Sequence, residues 1–324
     1  MENKKQNIVK RFFSLDSSAV IVAMIVLILL VSILSPVITG GNFLTTDNIM
    51  NIFRKQTYIG ILACGMTLIM ITGNIDLSVG NMMTLLTVIC ALLSKSVGPL
   101  PAILLTLLFG ALCGFLNGVL VGPLGLNAFI TTLGTTSIFY ALTLIISSGY
   151  TERAQSPIFD AIGSGSLGFI PVPVIIMAVV VVVFWFLLKR TVFGQQLYAI
   201  GANQTAAKFS GIRSRQRVML TYILTGLCCA LAAIVMIARS TSANPQAAGG
   251  KEMDVILAVV VGGTSIAGGK GSMFGTVLGF LFIGFMTTGF TFLGMNEYIQ
   301  SIVTGVILVA ALSFDVIKAR RSKL

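Results

Sequence analysis

The chain has 324 residues, of which 56% are hydrophobic and 10% are charged, and its mean hydropathy is +0.99. Several apolar runs are long enough to cross a hydrocarbon layer of about 30 Å, so the composition excludes an ordinary soluble domain. The net charge of +11 is typical of basic loops retained on the cytoplasmic side of a membrane, and nucleic-acid binding is not predicted.

The hydropathy pattern predicts an all-α integral membrane protein with about ten transmembrane helices, several of them short or interrupted. A basic N-terminal segment precedes the first apolar run, and no A-x-A cleavage motif follows it, so this run is predicted to be a retained helix. Residues 1–324 form one predicted transmembrane domain. The predicted helices are 18–38, 58–73, 79–94, 99–121, 127–147, 171–188, 218–239, 254–268, 273–293 and 298–317.

The distribution of Lys and Arg predicts how the chain is oriented. If the N-terminus is inside, fifteen basic residues fall on the inner side and six on the outer side. The positive-inside rule then places both termini in the cytoplasm. The longest inner loop, 189–217, contains six basic residues and no acidic one.

Glycine repeats every four residues at two places, Gly110–Gly122 and Gly271–Gly279. Such stripes let the backbones of two helices approach closely in lipid, so they predict tight helix packing and not a ligand site. The five cysteines lie in apolar segments without a CxxC pair, and the chain has no histidine. These features predict free buried thiols, no metal site and no cofactor.

The segment 73–80 interrupts the apolar pattern with glycine, amide, carboxylate and hydroxyl groups, and it contains Asp76. A charge at membrane depth costs roughly 3 kcal/mol or more, so it normally faces a protein interior, a polar partner or a water-filled cavity. Asp76 therefore has two interpretations. It contributes to a transport pathway, or it caps the following helix by accepting backbone N–H bonds.

A second interruption, 262–271, is rich in glycine and hydroxyl groups. Broken helices of this kind often build the binding region of a transporter. The segment is not a phosphate-binding loop, because GxxxxGK[ST] needs glycine where Thr264 stands and Ser or Thr where Gly271 stands. Nothing else in the sequence resembles a catalytic site, so the chain is not predicted to be an enzyme, and any ATP hydrolysis is assigned to another subunit.

The inner loop contains a predicted short helix across 202–211, with Asn203 as the N-cap and Gly211 as the stop. The loop is longer than a simple connection requires. A docking surface for a cytosolic partner is the functional interpretation of this loop. The alternative is that its charge only sets the topology and attracts anionic membrane lipid.

Four sequence blocks resemble the ribose-type permease subunits of bacterial ABC importers, which serve ribose, xylose, arabinose, galactose and related solutes. These blocks are GMTLIMITGNIDLSVG (65–80), LNAFITTLGT (126–135), TVFGQQLYAIGANQTAAKFSGI (191–212) and AVVVGGTSIAGGKGSMFGT (258–276). The resemblance extends from about Asn42 to Phe314. The family usually has glycine at the position of Asn74 and serine at that of Asn81.

The resemblance implies a permease that translocates a small sugar across the bacterial cytoplasmic membrane. Its implied partners are a second permease copy, identical or closely related, cytosolic ATP-binding subunits and an extracytoplasmic sugar-binding protein. Within 189–217 it implies a coupling helix that docks in the ATPase subunit. The docking candidates are Ala202, Asn203, Thr205, Ala206, Ala207, Lys208, Phe209, Ser210 and Gly211.

A neutral polyol needs hydroxyl and amide partners that bind it weakly enough for release, and an aromatic ring can stack on it or gate its path. The pathway candidates chosen on this basis are Asn74, Asp76, Ser78, Asn127, Phe129, Thr131, Thr264 and Ser265. Candidate charged contacts for the binding protein are Glu152, Asp160, Glu252 and Asp254.

Two alternatives remain open at the level of the sequence. One is a secondary transporter in which Asp76 binds a coupling ion, although a single deep carboxylate and a large basic loop argue against it. The other is an ABC permease for a nucleoside or another small polar solute. A passive channel ranks below both, and the identity of the sugar is left undetermined.

Overall fold

A computed structural model describes residues 18–247 and 250–321. Part of the charge count rests on residues outside the described ones, namely Lys4, Lys5, Lys10, Arg11 and Lys323. Thirteen helices are described. They are α1 (Ser18–Ile38), α2 (Thr46–Ile71), α3 (Val79–Val97), α4 (Pro99–Val121), α5 (Ala128–Ser147), α6 (Pro157–Gly163), α7 (Val172–Arg190), α8 (Val192–Ala202), α9 (Gln204–Phe209), α10 (Ser214–Ser240), α11 (Lys251–Val261), α12 (Met273–Phe292) and α13 (Glu297–Arg321).

A helix occupies each of the ten predicted positions, which confirms the all-α membrane architecture. Seven of the described helices are long and apolar enough to cross a membrane, namely α1, α3, α4, α5, α7, α10 and α12. Helix α2 begins twelve residues earlier than predicted, because Thr45 accepts a hydrogen bond from the backbone N–H of Asn48 and caps a polar first half. Helix α11 ends at Val261 and not at residue 268, since glycines follow.

The core of the bundle surrounds α2 and α10. Every residue of α2 from Ile59 to Ile71 is buried, and α10 packs on α2, α3 and α4. The predicted glycine stripe of α4 forms the contact with α10. A Cβ atom on Gly110 or Gly114 would collide with the carbonyl oxygen of Gly226 or Tyr222, respectively. These glycines therefore serve close backbone packing, as predicted.

The second stripe joins α12 to α11 in the same way. A Cβ atom on Gly275 would meet the carbonyl of Gly262, and one on Gly279 would meet that of Ala258. Gly271 precedes α12 and belongs to the turn before it. The two helices on either side of the second interruption are thus packed backbone to backbone.

The long loop between α5 and α7 contains short β-strands that were not predicted. Strand β1 (Glu152–Arg153) pairs antiparallel with β4 (Ser242–Ala243), and β2 (Ser166–Leu167) pairs with β3 (Ile170–Pro171). The first pair ties this loop to the end of α10. Glu152 also forms an ion pair with Lys95 at the end of α3.

Candidate functional site

The first interruption is a tight turn between α2 and α3. Gly73 adopts a left-handed φ of 79°, and the side-chain amide of Asn74 donates to Thr72 Oγ1 at 2.9 Å. One carboxylate oxygen of Asp76 accepts two hydrogen bonds from Ser78, from its backbone N–H at 2.8 Å and from its hydroxyl at 2.6 Å. Ser78 is the N-cap residue of α3. Asp76 therefore bonds the residue at the entry into α3 and not a backbone N–H of its first turn, so the capping and pathway roles both stay predictions.

Three other helices hold this turn through polar contacts. Asn117 of α4 donates to the hydroxyl of Ser78 at 2.8 Å. On α5, Thr132 Oγ1 accepts from the backbone N–H of Leu77 at 3.1 Å, and Thr136 donates to the carbonyl of the same residue at 2.7 Å. Helix α10 contributes a hydrogen bond from the hydroxyl of Tyr222 to the carbonyl of Ile75 at 3.3 Å. The turn is consequently a fixed, enclosed structure.

Asp76 itself is 1% exposed, and its second carboxylate oxygen has no hydrogen-bond partner among the described residues. Buried polar atoms are nearly always satisfied, so this oxygen marks a position where a water molecule or another polar group is needed. The sequence prediction omitted Asn117 and Thr132. Both carried a usable signal, Asn117 as an isolated amide in an apolar helix and Thr132 as part of the LNAFITTLGT block.

The second interruption is closed mainly by its own backbone. The N–H of Ser265 donates to the carbonyl of Lys270 at 3.1 Å, and the N–H of Gly268 donates to the carbonyl of Ser265 at 3.2 Å. Thr264 is 1% exposed, and its hydroxyl has no hydrogen-bond partner among the described residues. Backbone hydrogen bonds within the segment therefore close this turn.

The two turns touch each other and also touch α8, which lies in the loop 189–217. The N–H of Gly269 donates to the carbonyl of Ile71, the last residue of α2, at 2.9 Å. A Cβ atom on Gly201 of α8 would collide with both of these groups. In addition, the hydroxyl of Tyr198 donates to the carbonyl of Gly271 at 2.8 Å. The loop 189–217 is thus in direct backbone contact with both interrupted helices.

The pathway candidates differ in where the fold places them. Asp76, Ser78, Thr264 and Ser265 are buried, Asn74 and Thr131 are half-buried, and Asn127 and Phe129 are exposed. Asn127 caps α5 by accepting from the N–H of Ile130 at 3.2 Å. None of the eight lines either of the two cavities described in the molecule. Their assignment to a pathway stays a prediction.

Helix α9 has the position and the caps that the sequence predicted. Asn203 accepts from the backbone N–H of Ala206 at 3.0 Å, and Gly211 ends the segment with a φ of 79°. Eight of the nine docking candidates are exposed, including Phe209 at 88%. The prediction of Ala207 as a docking residue is wrong, because Ala207 packs with Tyr222 in a buried apolar cluster and anchors α9 to the bundle.

The acidic candidates for contact with a binding protein are partly engaged within the chain. Glu152 pairs with Lys95, and Asp254 pairs with Lys251 at 3.2 Å. Asp160 is exposed, and one oxygen of Glu252 is buried without a hydrogen-bond partner among the described residues. Their contact with a binding protein stays a prediction.

The sequence matches a protein-family model described as branched-chain amino acid transport system/permease component over residues 48–312. It is 38% identical over 302 residues to the ribose import permease protein RbsC of Escherichia coli, covering 91% of this chain and 92% of that protein. It is also 38% identical over 275 residues to the D-allose transport system permease protein AlsC of Escherichia coli, covering 84% of each chain.

A third relative, the galactofuranose transporter permease protein YtfT of Escherichia coli, is 36% identical over 299 residues, covering 90% of this chain and 87% of that protein. No solved structure matches the sequence. The matched family region includes both interrupted helices and the inner loop with α8 and α9. The chain therefore belongs to the ribose-type permease family of bacterial ABC importers, multi-pass inner-membrane proteins whose ATPase activity lies in a separate subunit.

Proposed function

We propose that this permease carries a small neutral sugar, a monosaccharide of pentose or hexose size, into the bacterial cytoplasm. Three relatives are named for the import of ribose and for the transport of D-allose and galactofuranose, and each aligns with this chain over most of its length. Those sugars share several hydroxyl groups and no charge. The proposal extends that shared chemistry to this chain without choosing one sugar.

The proposed assembly contains two permease chains, identical or closely related, around a central path. Two cytosolic ATPase subunits dock on the inner loops, and an extracytoplasmic sugar-binding protein docks on the opposite face. Both termini of the permease are in the cytoplasm. The charge distribution of the sequence supports this orientation.

The contact of Gly201 with both interrupted helices is the observation that carries the proposed mechanism. Helix α9 offers an exposed surface to the ATPase, and α8 precedes it directly in the chain. Because the backbone of Gly201 packs on the carbonyl of Ile71 and the N–H of Gly269, a displacement of α9 moves both turns together. The ATPase cycle then switches the path between two states of access.

An ion-coupled mechanism receives less support. One carboxylate oxygen of Asp76 already accepts two hydrogen bonds from Ser78, and the nearby polar groups hold the turn in place. Membership of an ABC permease family also favours an ATP-driven cycle. A nucleoside is the next candidate among solutes, but it has no observation in its favour beyond its several hydroxyl groups.

Purification of the chain from its host in mild detergent tests the assembly. We expect an ATPase subunit to co-elute at one copy per permease. Phe209→Glu should abolish this association, because it places a charge on the most exposed apolar side chain of α9. Gln216→Glu is the matched control, since Gln216 is exposed in the same loop and gains the same charge.

Uptake measurements test the energy source. ATP depletion at a maintained membrane potential should stop uptake of labelled monosaccharide. Uptake that continues under these conditions, together with a permease that elutes alone, would contradict the proposed function.

A further inference from the structure

A cavity of about 720 Å³ opens at the end of the bundle that lies opposite α8 and α9. It lies between α2, α11, α12 and α13. On α2, Lys55 lines the cavity and Ile71 contacts α8. At the helical rise per residue, these two positions are about 24 Å apart along the helix axis. The size falls within the usual range of small-molecule sites, roughly 300–1,000 Å³.

The walls of the cavity carry hydroxyl and amide groups on helices that lie within the membrane bundle. On α13, Gln300, Ser301 and Thr304 line the cavity, whereas Ile302 and Val306 on the opposite face are more than 60% exposed. Residues three and four apart share one face of a helix, so α13 is polar towards the cavity and apolar away from it. Helix α12 contributes Thr287, Thr288 and Thr291. Such a polar face marks a wet cavity.

Gln56 of α2 identifies the cavity as a place for a ligand. Its side chain is 5% exposed, it lines the cavity, and its Oε1 has no hydrogen-bond partner among the described residues. A buried acceptor is rarely left unpaired in a folded protein. Gly284 of α12 leaves room for this side chain, because a Cβ atom there would collide with it.

The neighbouring hydroxyl groups are also acceptors towards the cavity. Thr287 donates its proton to the carbonyl of Ile283 at 2.9 Å, and Thr304 donates its proton to the carbonyl of Gln300 at 2.9 Å. Each hydroxyl oxygen then has only lone pairs left to offer. Gln56, whose side-chain amide carries both an acceptor and donors, lines the same cavity as these two hydroxyl groups, and we call Gln56, Thr287 and Thr304 the acceptor ring. A ring of acceptors selects a ligand that brings O–H or N–H donors.

One helical turn deeper, each of the three helices becomes apolar. Ile59 follows Gln56 on α2, Ile283 precedes Thr287 on α12, and Leu308 follows Thr304 on α13. All three residues line the cavity. We call them the apolar ring. It lies on the side of the acceptor ring that is nearer to the inner loop.

The charges at the mouth largely compensate one another. Lys55, Arg239 and Lys251 are balanced in part by Asp254 and Glu297, and Lys251 is paired with Asp254 at 3.2 Å. The mouth thus lacks a concentrated field for an ionic ligand, and the remaining positive charge disfavours a cation.

We propose that the acceptor ring is a binding site for the hydroxyl groups of a neutral monosaccharide, and that the apolar ring closes the path beneath it. The inference rests on the proposed function and adds the location of the site. A phosphate group brings only acceptors to this ring, so the ring matches the O–H donors of a neutral sugar better than it matches a phosphate. A monosaccharide supplies several O–H donors at once.

The test places a reporter thiol beside the acceptor ring without altering it. Ser301→Cys is alkylated with a hydrophilic thiol reagent in the reconstituted complex, with D-ribose, D-allose or D-ribose 5-phosphate present in turn. We expect at least one of the neutral sugars to slow alkylation about fivefold or more at saturation and the sugar phosphate to have no effect. Ile302→Cys, on the opposite face of α13, is the matched control and should show no sugar protection.

A second pair of variants separates binding from reporter accessibility. In the Ser301→Cys background, Thr304→Val should abolish sugar protection, whereas Thr304→Ser should retain it. If neither sugar protects the reporter in a complex that shows ATP-dependent sugar uptake, the site is overturned while the proposed function stands. If the unmodified complex shows no ATP-dependent sugar uptake at all, the proposed function itself is contradicted.

The apolar ring has its own test. Leu308→Ser should allow sugar to cross without ATP, because a polar side chain hydrates the closure, whereas Leu308→Met should remain tight. A Leu308→Ser protein that folds and transports with ATP but shows no leak would overturn the assignment of the closure.

Discussion

The two interrupted helices solve the same problem in different ways. The turn between α2 and α3 is held by side chains from α4, α5 and α10 that bond its backbone and Ser78. The turn between α11 and α12 is held by its own backbone, by glycine contacts and by the hydroxyl of Tyr198. A turn fixed from three sides moves as part of the bundle. The second turn is tied to α2 through the N–H of Gly269 and to α8 through the carbonyl of Gly271.

The largest expected effect comes from the residue that touches both turns. Gly201→Val should abolish uptake, because the valine side chain would collide with the carbonyl of Ile71 and the N–H of Gly269. Both are backbone groups, which cannot move aside without distorting the two turns. Uptake and ATP hydrolysis are measured in the same membranes. We expect sugar-stimulated ATP hydrolysis to be lost together with uptake.

Gly134→Val is the control, because a Cβ atom at Gly134 meets nothing within 4 Å and the change in helix propensity is the same. Normal uptake by Gly201→Val would show that the contact between α8 and the two turns does not transmit the ATPase cycle.

Asp76 gives the next effect. Asp76→Ala removes both hydrogen bonds to Ser78 and should lower the free energy of unfolding in detergent by about 3 kcal/mol, since bonds to a charged group are strong. Asp76→Asn keeps an oxygen acceptor for the same bonds and should recover most of the stability. Thermal unfolding monitored by tryptophan fluorescence of Trp185 measures the difference.

The two Asp76 variants also separate its two roles. If Asp76→Asn is as stable as the unaltered chain but does not transport, the negative charge is needed for transport, whereas the bonds to Ser78 need only the oxygen acceptor that Asn retains. Wild-type transport and stability in Asp76→Ala would remove Asp76 from both.

The smallest effects come from one threonine in each region. Thr132→Val leaves the N–H of Leu77 without its acceptor and should cost about 1–2 kcal/mol of stability. Thr264→Val makes the same change in side-chain shape, but it removes a buried hydroxyl that has no hydrogen-bond partner among the described residues. The free energy of unfolding of this variant should be unchanged or slightly higher. The same unfolding measurement compares the pair. Equal losses would contradict the difference drawn between the two turns.

The sequence by itself determined the membrane architecture, because apolar runs of spanning length and glycine repeats act locally and leave a readable pattern. It placed a helix at each of the ten positions. It also located α9, since Asn203 and Gly211 are local start and stop signals. The family resemblance rested on the same local blocks, and the comparisons confirmed it.

The tertiary structure alone decided which residues meet. Gly201, Ile71 and Gly269 are far apart in sequence, and their contact depends on how close three backbones approach. The burial of Ala207 follows from the packing of α9 on Tyr222. The acceptor ring combines Gln56, Thr287 and Thr304 from three different helices. A cavity wall is formed by the facing sides of separate helices, and the sequence of one helix does not record which side will face the cavity.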